Sequence, residues 1–99
     1  MSLDATLWAW RQSVTPRQKI ILLGLADRAG EDHACCPHIA RLSTDTGMSG
    51  PEVQSTIADL ERLGLVRRVD VHEHISVFRL VGVSGREDMP LMREVPHEP

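Results

Sequence analysis

Apolar positions along this chain follow two periods, three to four residues as far as about residue 63 and close to two beyond residue 65. The first period belongs to helices and the second to strands, so a helical part is followed by a hairpin. Leu3, Leu7, Trp10 and Val14 recur at helical spacing behind Asp4. They predict a short amphipathic helix over 3–13 that lays Trp10 on the domain, with Trp8 pointing elsewhere. A large aromatic in such a place serves core packing or, alternatively, a dimer contact. Thr15-Pro16-Arg17-Gln18 forms a capping box with proline at the first helical position, where its missing N–H costs nothing. The helix it opens is expected to reach about Ala29. Ile20, Ile21, Leu22, Leu23, Leu25 and Ala26 make it apolar nearly all round, as suits the central core helix, and Gly30 is expected to stop it in the left-handed conformation.

After the polar turn Glu31-Asp32-His33, Ala34-Cys35-Cys36 predicts a small strand, and Pro37 opens the next helix with Ile39 and Leu42 as its buried stripe. Gly47 supplies the positive φ of a sharp turn, and Ser49-Gly50-Pro51-Glu52 is a second capping box. The helix behind it, over 50–63, carries the stripe Val53, Ile57, Leu60, and Gly64 ends it with Leu65 placed to close a hydrophobic contact. Residues 65–71 and 75–81 are rich in β-branched side chains, with His72-Glu73-His74 where the hairpin turns. Residues 1–81 therefore read as one domain. Residues 82–99, with Gly82, Gly85, Pro90, Pro96 and Pro99 among charges, read as a flexible or arm-like acidic tail in which Met89, Leu91, Met92 and Val95 are the docking candidates.

Charge qualifies any expectation about partners. The chain of 99 residues carries a net charge of −3. Residues 1–81 hold nine Arg and Lys against ten Asp and Glu, and residues 82–99 hold two against four, so much of the acidic excess lies in the tail. Phosphate affinity needs a positive field over at least one face, and only the distribution of charge can supply it here. No apolar run approaches membrane-spanning length and no signal peptide is evident, which places the protein in the cytoplasm.

The run Cys36-Pro37-His38-Ile39-Ala40-Arg41-Leu42, then Thr46-Gly47-Met48-Ser49, then Val53-Gln54, Ile57 and Leu60-Glu61-Arg62-Leu63-Gly64-Leu65-Val66 resembles the winged helix-turn-helix domains of phage replication proteins and small phage or plasmid regulators. The resemblance covers roughly residues 15–81. It implies a mainly α fold with a small β-hairpin, and a DNA-binding protein acting in transcriptional regulation or as a replication accessory, as a homodimer joined through the N-terminal helix and tail. Such domains commonly carry a pair of Arg after the turn serine and more basic residues along the exposed helix; here those places are Gly50, Pro51, Ser55 and Ala58. Gln54 remains as a side chain able to read adenine bidentately, with Ser49, Ser55 and Thr56 as weaker polar contacts. Arg67 and Arg68 open the wing, Arg79 lies on its return strand, and Arg41, Arg17 and Lys19 are further cations for phosphate. The same cations serve equally as solvated partners of Asp59, Glu61 and Asp70.

A second reading takes Glu52, Asp59 and Glu61 as the working surface. A rigid acidic helix complements a basic protein surface and repels DNA, as in a phage-encoded inhibitor of a host defence complex of the anti-CRISPR kind. Catalysis is not expected, since the sequence shows no nucleophile elbow, phosphate loop or distinctive carboxylate pair. No cofactor is expected either. His33, Cys35, Cys36 and His38, with His72 and His74, are the possible metal ligands, but adjacent cysteines in a strand point to opposite faces and so do not both enter one site easily. A reduced cysteine filling core space is the simpler expectation.

Overall fold

The computed structural model describes residues 3–30, 33–72 and 75–83. Along them run α1 (Leu3–Trp10), α2 (Pro16–Arg28), β1 (Ala34–Cys35), α3 (Ile39–Thr46), α4 (Gly50–Arg62), β2 (Val66–His72) and β3 (Ile75–Leu80). The order helix, helix, short strand, helix, helix, hairpin is the one the sequence predicts. None of the described helices is long and apolar enough to cross a membrane. Residues 31–32 of the expected polar turn, the hairpin tip at 73–74 and all of the expected tail 82–99 beyond Val83, with Met89, Leu91, Met92 and Val95, lie outside the described residues.

Helix α2 starts as its capping box requires. Thr15 Oγ1 accepts from the Gln18 N–H at 3.2 Å and Gln18 Oε1 accepts from the Thr15 N–H at 3.1 Å, so two of the unpaired amides at the helix start are satisfied. Ile21, Leu22, Leu25 and Ala26 are fully buried. The end of α2 differs from expectation. Gly30 is not left-handed; Ala29 leaves the helix in an extended conformation (φ −74°, ψ 141°), and the positive φ falls on His33 (63°). The reason is the destination of the chain, which must enter β1 alongside β3. The Gly30 N–H donates to the Ala34 carbonyl at 3.0 Å and the Leu80 N–H donates to the His33 carbonyl at 2.9 Å, so the reversal is taken where the strand begins.

Helices α3 and α4 are joined by the expected turn, with Gly47 at φ 78°. The turn is fastened by its own side chains: Ser43 Oγ donates to the Met48 carbonyl at 2.6 Å, and Thr46 Oγ1 accepts from the Met48 N–H at 3.2 Å. α3 opens at Ile39 rather than at Pro37, capped by His38, whose Nδ1 accepts from the Arg41 N–H at 3.2 Å. At the far end of α4 the Leu65 N–H reaches the Leu60 carbonyl and the Gly64 N–H reaches the Glu61 carbonyl, both at 3.0 Å, with Gly64 at φ 80°. That pair of bonds is a left-handed stop, and Leu65 packs against the core as its hydrophobic partner.

The predicted small strand is not separate from the wing. One antiparallel sheet has the order β1-β3-β2, with Cys35 opposite Phe78 and Ala34 opposite Arg79. On the other side Val66 pairs with Leu80, Arg67 with Arg79 and Arg68 with Phe78, and an irregularity at Val69 shifts the register before Asp70 meets Val77. Val66, Phe78 and Leu80 turn one face of the sheet to the core, and Val83, beyond β3, is buried with them.

Helix α1 packs against α2 in the opposite sense to that expected. Its buried residues are Ala5 and Ala9, and Trp8 lies against the core beside Gly82, whereas Leu3, Leu7 and Trp10 are 70 %, 45 % and 60 % exposed. Small side chains let the two helices approach closely, and the bulkier stripe is left outside. The position of α1 is secured at its C-terminus, where Lys19 Nζ donates to the carbonyls of Ala9, Trp10 and Gln12 at 3.0, 2.6 and 2.7 Å. A cation there satisfies otherwise unpaired carbonyls and complements the helix dipole. Lys19, read in the sequence as a phosphate contact, is thus part of the scaffold.

Leu42 and Ile57, 1 % and 4 % exposed, are the residues by which α3 and α4 enter the core. Leu42→Ala and Ile57→Ala are each expected to lower stability by roughly 2–5 kcal/mol. Chemical denaturation measures this directly, and midpoints unchanged in both variants would contradict the packing described.

Candidate functional site

Helix α4 turns Val53, Thr56, Ile57 and Leu60 inward. Thr56, expected to offer a polar contact outside, is 1 % exposed and donates its hydroxyl to the Glu52 carbonyl at 2.7 Å. The outward face consists of Pro51, Gln54, Ser55 and Arg62, flanked by the half-buried Ala58 and Asp59. It is small, polar and close to electrically neutral.

Gln54 does not stand alone on that face. A groove of about 340 Å³ runs between α4, the start of α3 and the sheet, lined by Gln54, Ala58, Arg68 and Ser76 over an apolar floor of Pro37, Ile39, Ile57 and Phe78. Sequence reasoning identified Gln54 and Arg68 separately but missed Ser76 and the floor. Only the strand register, which sets Arg68 opposite Phe78, brings them together.

Arg68 is held in place by three partners. Its guanidinium lies 4.9 Å from the centre of the Phe78 ring, its Nη1 is 3.3 Å from Ser76 Oγ, and its Nη2 is 3.5 Å from Glu61 Oε1. Stacking on an aromatic face and hydrogen bonding in the guanidinium plane use different parts of the same group. Arg67, the other wing cation, points the opposite way, because successive side chains on a strand alternate between faces. It faces Arg79 across the strands, both are exposed, and among the described residues neither has a carboxylate partner. The two arginines read together in the sequence therefore belong to different surfaces.

The three acidic residues proposed as a protein-binding surface are each engaged within the chain. Glu52 Oε1 accepts from the Ser49 N–H at 2.9 Å and its other oxygen lies 3.5 Å from Arg17. Ser49, a candidate polar contact, returns the interaction by accepting the Glu52 N–H at 3.2 Å. The bonds from Ser49 first, then the nearby Arg17 charge, hold the Glu52 carboxyl below the usual glutamate range. The start of α4 is thus occupied by the protein's own carboxylate, and Pro51 has no N–H to offer an external anion. Asp59 pairs with Arg62, and Glu61 with Arg68.

Arg41 lies on α3 away from the groove. It pairs with Asp45 at 3.2 Å, and Arg28 approaches the same carboxylate at 3.4 Å. Ser55 is exposed on α4 beside Gln54.

Among the described residues no group of three or more metal-ligating side chains comes together. Cys35 is buried and Cys36 exposed, as alternation on a strand requires, and His38 uses Nδ1 in the α3 cap. Burial, reinforced by the neighbouring Cys36, raises the Cys35 thiol to about 11, which keeps it a protonated core side chain at neutral pH. The side chain of His72 and all of His74 fall outside the described residues.

Compared with known proteins, the chain matches a helix-turn-helix domain family over residues 14–66, more than half its length. No curated protein and no solved structure matches it.

The Glu52 cap carries a pH dependence. Its folded pKa lies below that of the unfolded chain, so its stabilisation is complete above the ordinary value of 4.5 and is lost as the pH falls through the lower, folded value. The stability difference between the native chain and Glu52→Gln, measured by denaturation, is expected to shrink in acid below pH 4.5. A difference independent of pH would show that the carboxylate charge contributes nothing.

Proposed function

This chain belongs to the helix-turn-helix domain family, and from that membership we propose that it binds duplex DNA by seating the outward face of α4 in the major groove. The observation that carries the reading is the convergence of Gln54 and Arg68 on one groove beside that face, from a helix and a strand separated in sequence. Gln54 reads a base edge, with adenine its best bidentate partner, and Ser55 and Ala58 allow close approach. Arg68, half-exposed at the mouth of the wing, holds a phosphate or sugar oxygen, and Arg41 on α3 holds backbone on the flank. Arg67 contributes to the field of the opposite sheet face. The sequence resemblance to phage and plasmid proteins supports a role in transcriptional regulation or replication, exercised in the cytoplasm.

No observation favours the acidic-helix reading over this one. Glu52 is spent on the α4 cap, and Asp59 and Glu61 each face an arginine. Exposed pairs are worth little to stability, but they cancel the local field that a basic partner would follow.

A binding assay against mixed and selected duplexes across a salt series tests the proposal. Arg68→Ala is expected to weaken binding to all sequences and reduce the salt slope by about one. Gln54→Ala is expected to cost about 1–3 kcal/mol on the preferred site while leaving mixed DNA nearly unaffected, and Arg67→Ala to change less than Arg68→Ala. Absence of binding at about 50 mM salt, or equal effects of Gln54→Ala on every sequence, would overturn the assignment.

A further inference from the structure

The groove beside α4 has a property that duplex DNA does not use. Its volume of about 340 Å³ falls among those of small-molecule sites, roughly 300–1,000 Å³, and like them it sets a few convergent polar groups over an apolar floor. Ile39, Ile57 and Phe78 belong to that floor, and the last two are core side chains only 4 % exposed. A sugar–phosphate backbone carries a charge at every step and loses hydration in a recess of hydrocarbon. The floor suits an apolar body instead.

Charge defines the other half of the ligand. Among the described residues that line the groove, Arg68 alone carries a formal charge, so the complement is a single negative charge. Phe78 supports the guanidinium from one side at 4.9 Å, which leaves its planar edge as the polar part of the groove. Glu61 shows that a carboxylate reaches this edge, yet at 3.5 Å it stands beyond the 2.7–2.9 Å or so of a charge-assisted hydrogen bond. The fork is therefore not saturated from within the chain. On the helical wall Gln54 adds an amide, and Ala58, one turn further along α4, is small enough to leave the floor accessible. We propose that the groove is a site for a small monocarboxylate with an apolar body, the carboxylate on the edge of Arg68 beside Ser76, the body over Ile39, Ile57 and Phe78, and Gln54 at the polar lip.

A bound acid would take Gln54 and Arg68 away from the duplex. That regulatory consequence rests on the DNA-binding reading, whereas the binding of the acid does not. A ligand of on the order of ten non-hydrogen atoms binds in the millimolar range at ordinary ligand efficiencies.

The test is a chemical-shift titration of the full chain, without DNA, by phenylacetate, hydrocinnamate and hexanoate up to about 20 mM, beyond the expected constants. At least one acid should give saturable shifts at the Gln54 side-chain amide and the Ala58 methyl. Its neutral amide, which lacks the charge, and acetate, which lacks the body, should each bind about tenfold more weakly or less. Arg68→Gln should abolish the shifts, while Arg11→Gln, which removes the same charge from an exposed place outside the groove, should leave them unchanged. Should Arg68→Gln fail to fold, Ala58→Leu decides, since it fills the groove from α4 and should weaken binding about tenfold. Saturable shifts with none of the three acids would overturn the proposal, as would a neutral amide that binds as tightly as its acid. Where acid and duplex both bind, the acid at its dissociation constant should weaken duplex binding about twofold, as mutually exclusive ligands must. A chain that binds an acid and ignores duplex would uphold the site and overturn the DNA reading; one that binds duplex and none of the acids would do the reverse.

Discussion

The distance at which α3 can approach α2 governs most of what this domain presents, and it is set at Gly24. A Cβ placed there would lie 2.7 Å from Leu42 Cδ2, inside any ordinary contact, and Leu42 has no room to retreat because it is itself 1 % exposed. Glycine inside a helix costs about 1 kcal/mol relative to alanine. Here the cost is offset by packing that a side chain would prevent. Once α3 is seated, Gly47 and the Ser43 and Thr46 hydroxyls fix the turn, and the turn fixes where α4 leaves. The groove between α4, the start of α3 and the sheet is therefore shaped in part by this contact on the other side of α3.

Around α3 and α4 charge is distributed in pairs rather than in a patch. Arg17 meets Glu52, Arg62 meets Asp59, Arg68 meets Glu61, and Arg28 and Arg41 share Asp45. Each exposed pair contributes little to stability, but together they flatten the field that would otherwise attract any polyanion. On the proposed DNA-binding reading, a domain built this way has weak affinity for arbitrary duplex and must rely on contacts that depend on fit.

Much of the fold was legible because its signals are local. Both capping boxes, the Gly47 turn, the Gly64 stop and the alternating hairpin are written in contiguous residues, and each forms as read. What was not legible depends on partners distant in sequence. The apolar strip Leu3, Leu7, Trp10 gave α1 a plausible inward face, but alanines on the other side permit a closer approach to α2, and hydrophobicity alone does not weigh bulk against proximity. Gly30 looked like the stop of α2, yet the need to align β1 with β3 moved the left-handed residue to His33. Arg67 and Arg68 were grouped by adjacency although a strand separates neighbours onto opposite faces. The candidate site suffered most, since Ser76 and Phe78 join Gln54 only through the register of β2 against β3.

In the proposed DNA complex, Arg68 would make the groove selective rather than merely basic. Phe78 and Ser76 hold the guanidinium in one orientation before any ligand arrives, which lowers the ordering cost of binding. Glu61, 3.5 Å away, competes for the same group. In that complex an incoming phosphate would have to displace or share a carboxylate, and would do so with profit only when Gln54 and the rest of the α4 face are satisfied at the same moment. The carboxylate weakens every encounter, and the correct one alone supplies compensation. On the proposed reading discrimination arises from the difference between the two, with no need for a strong positive field.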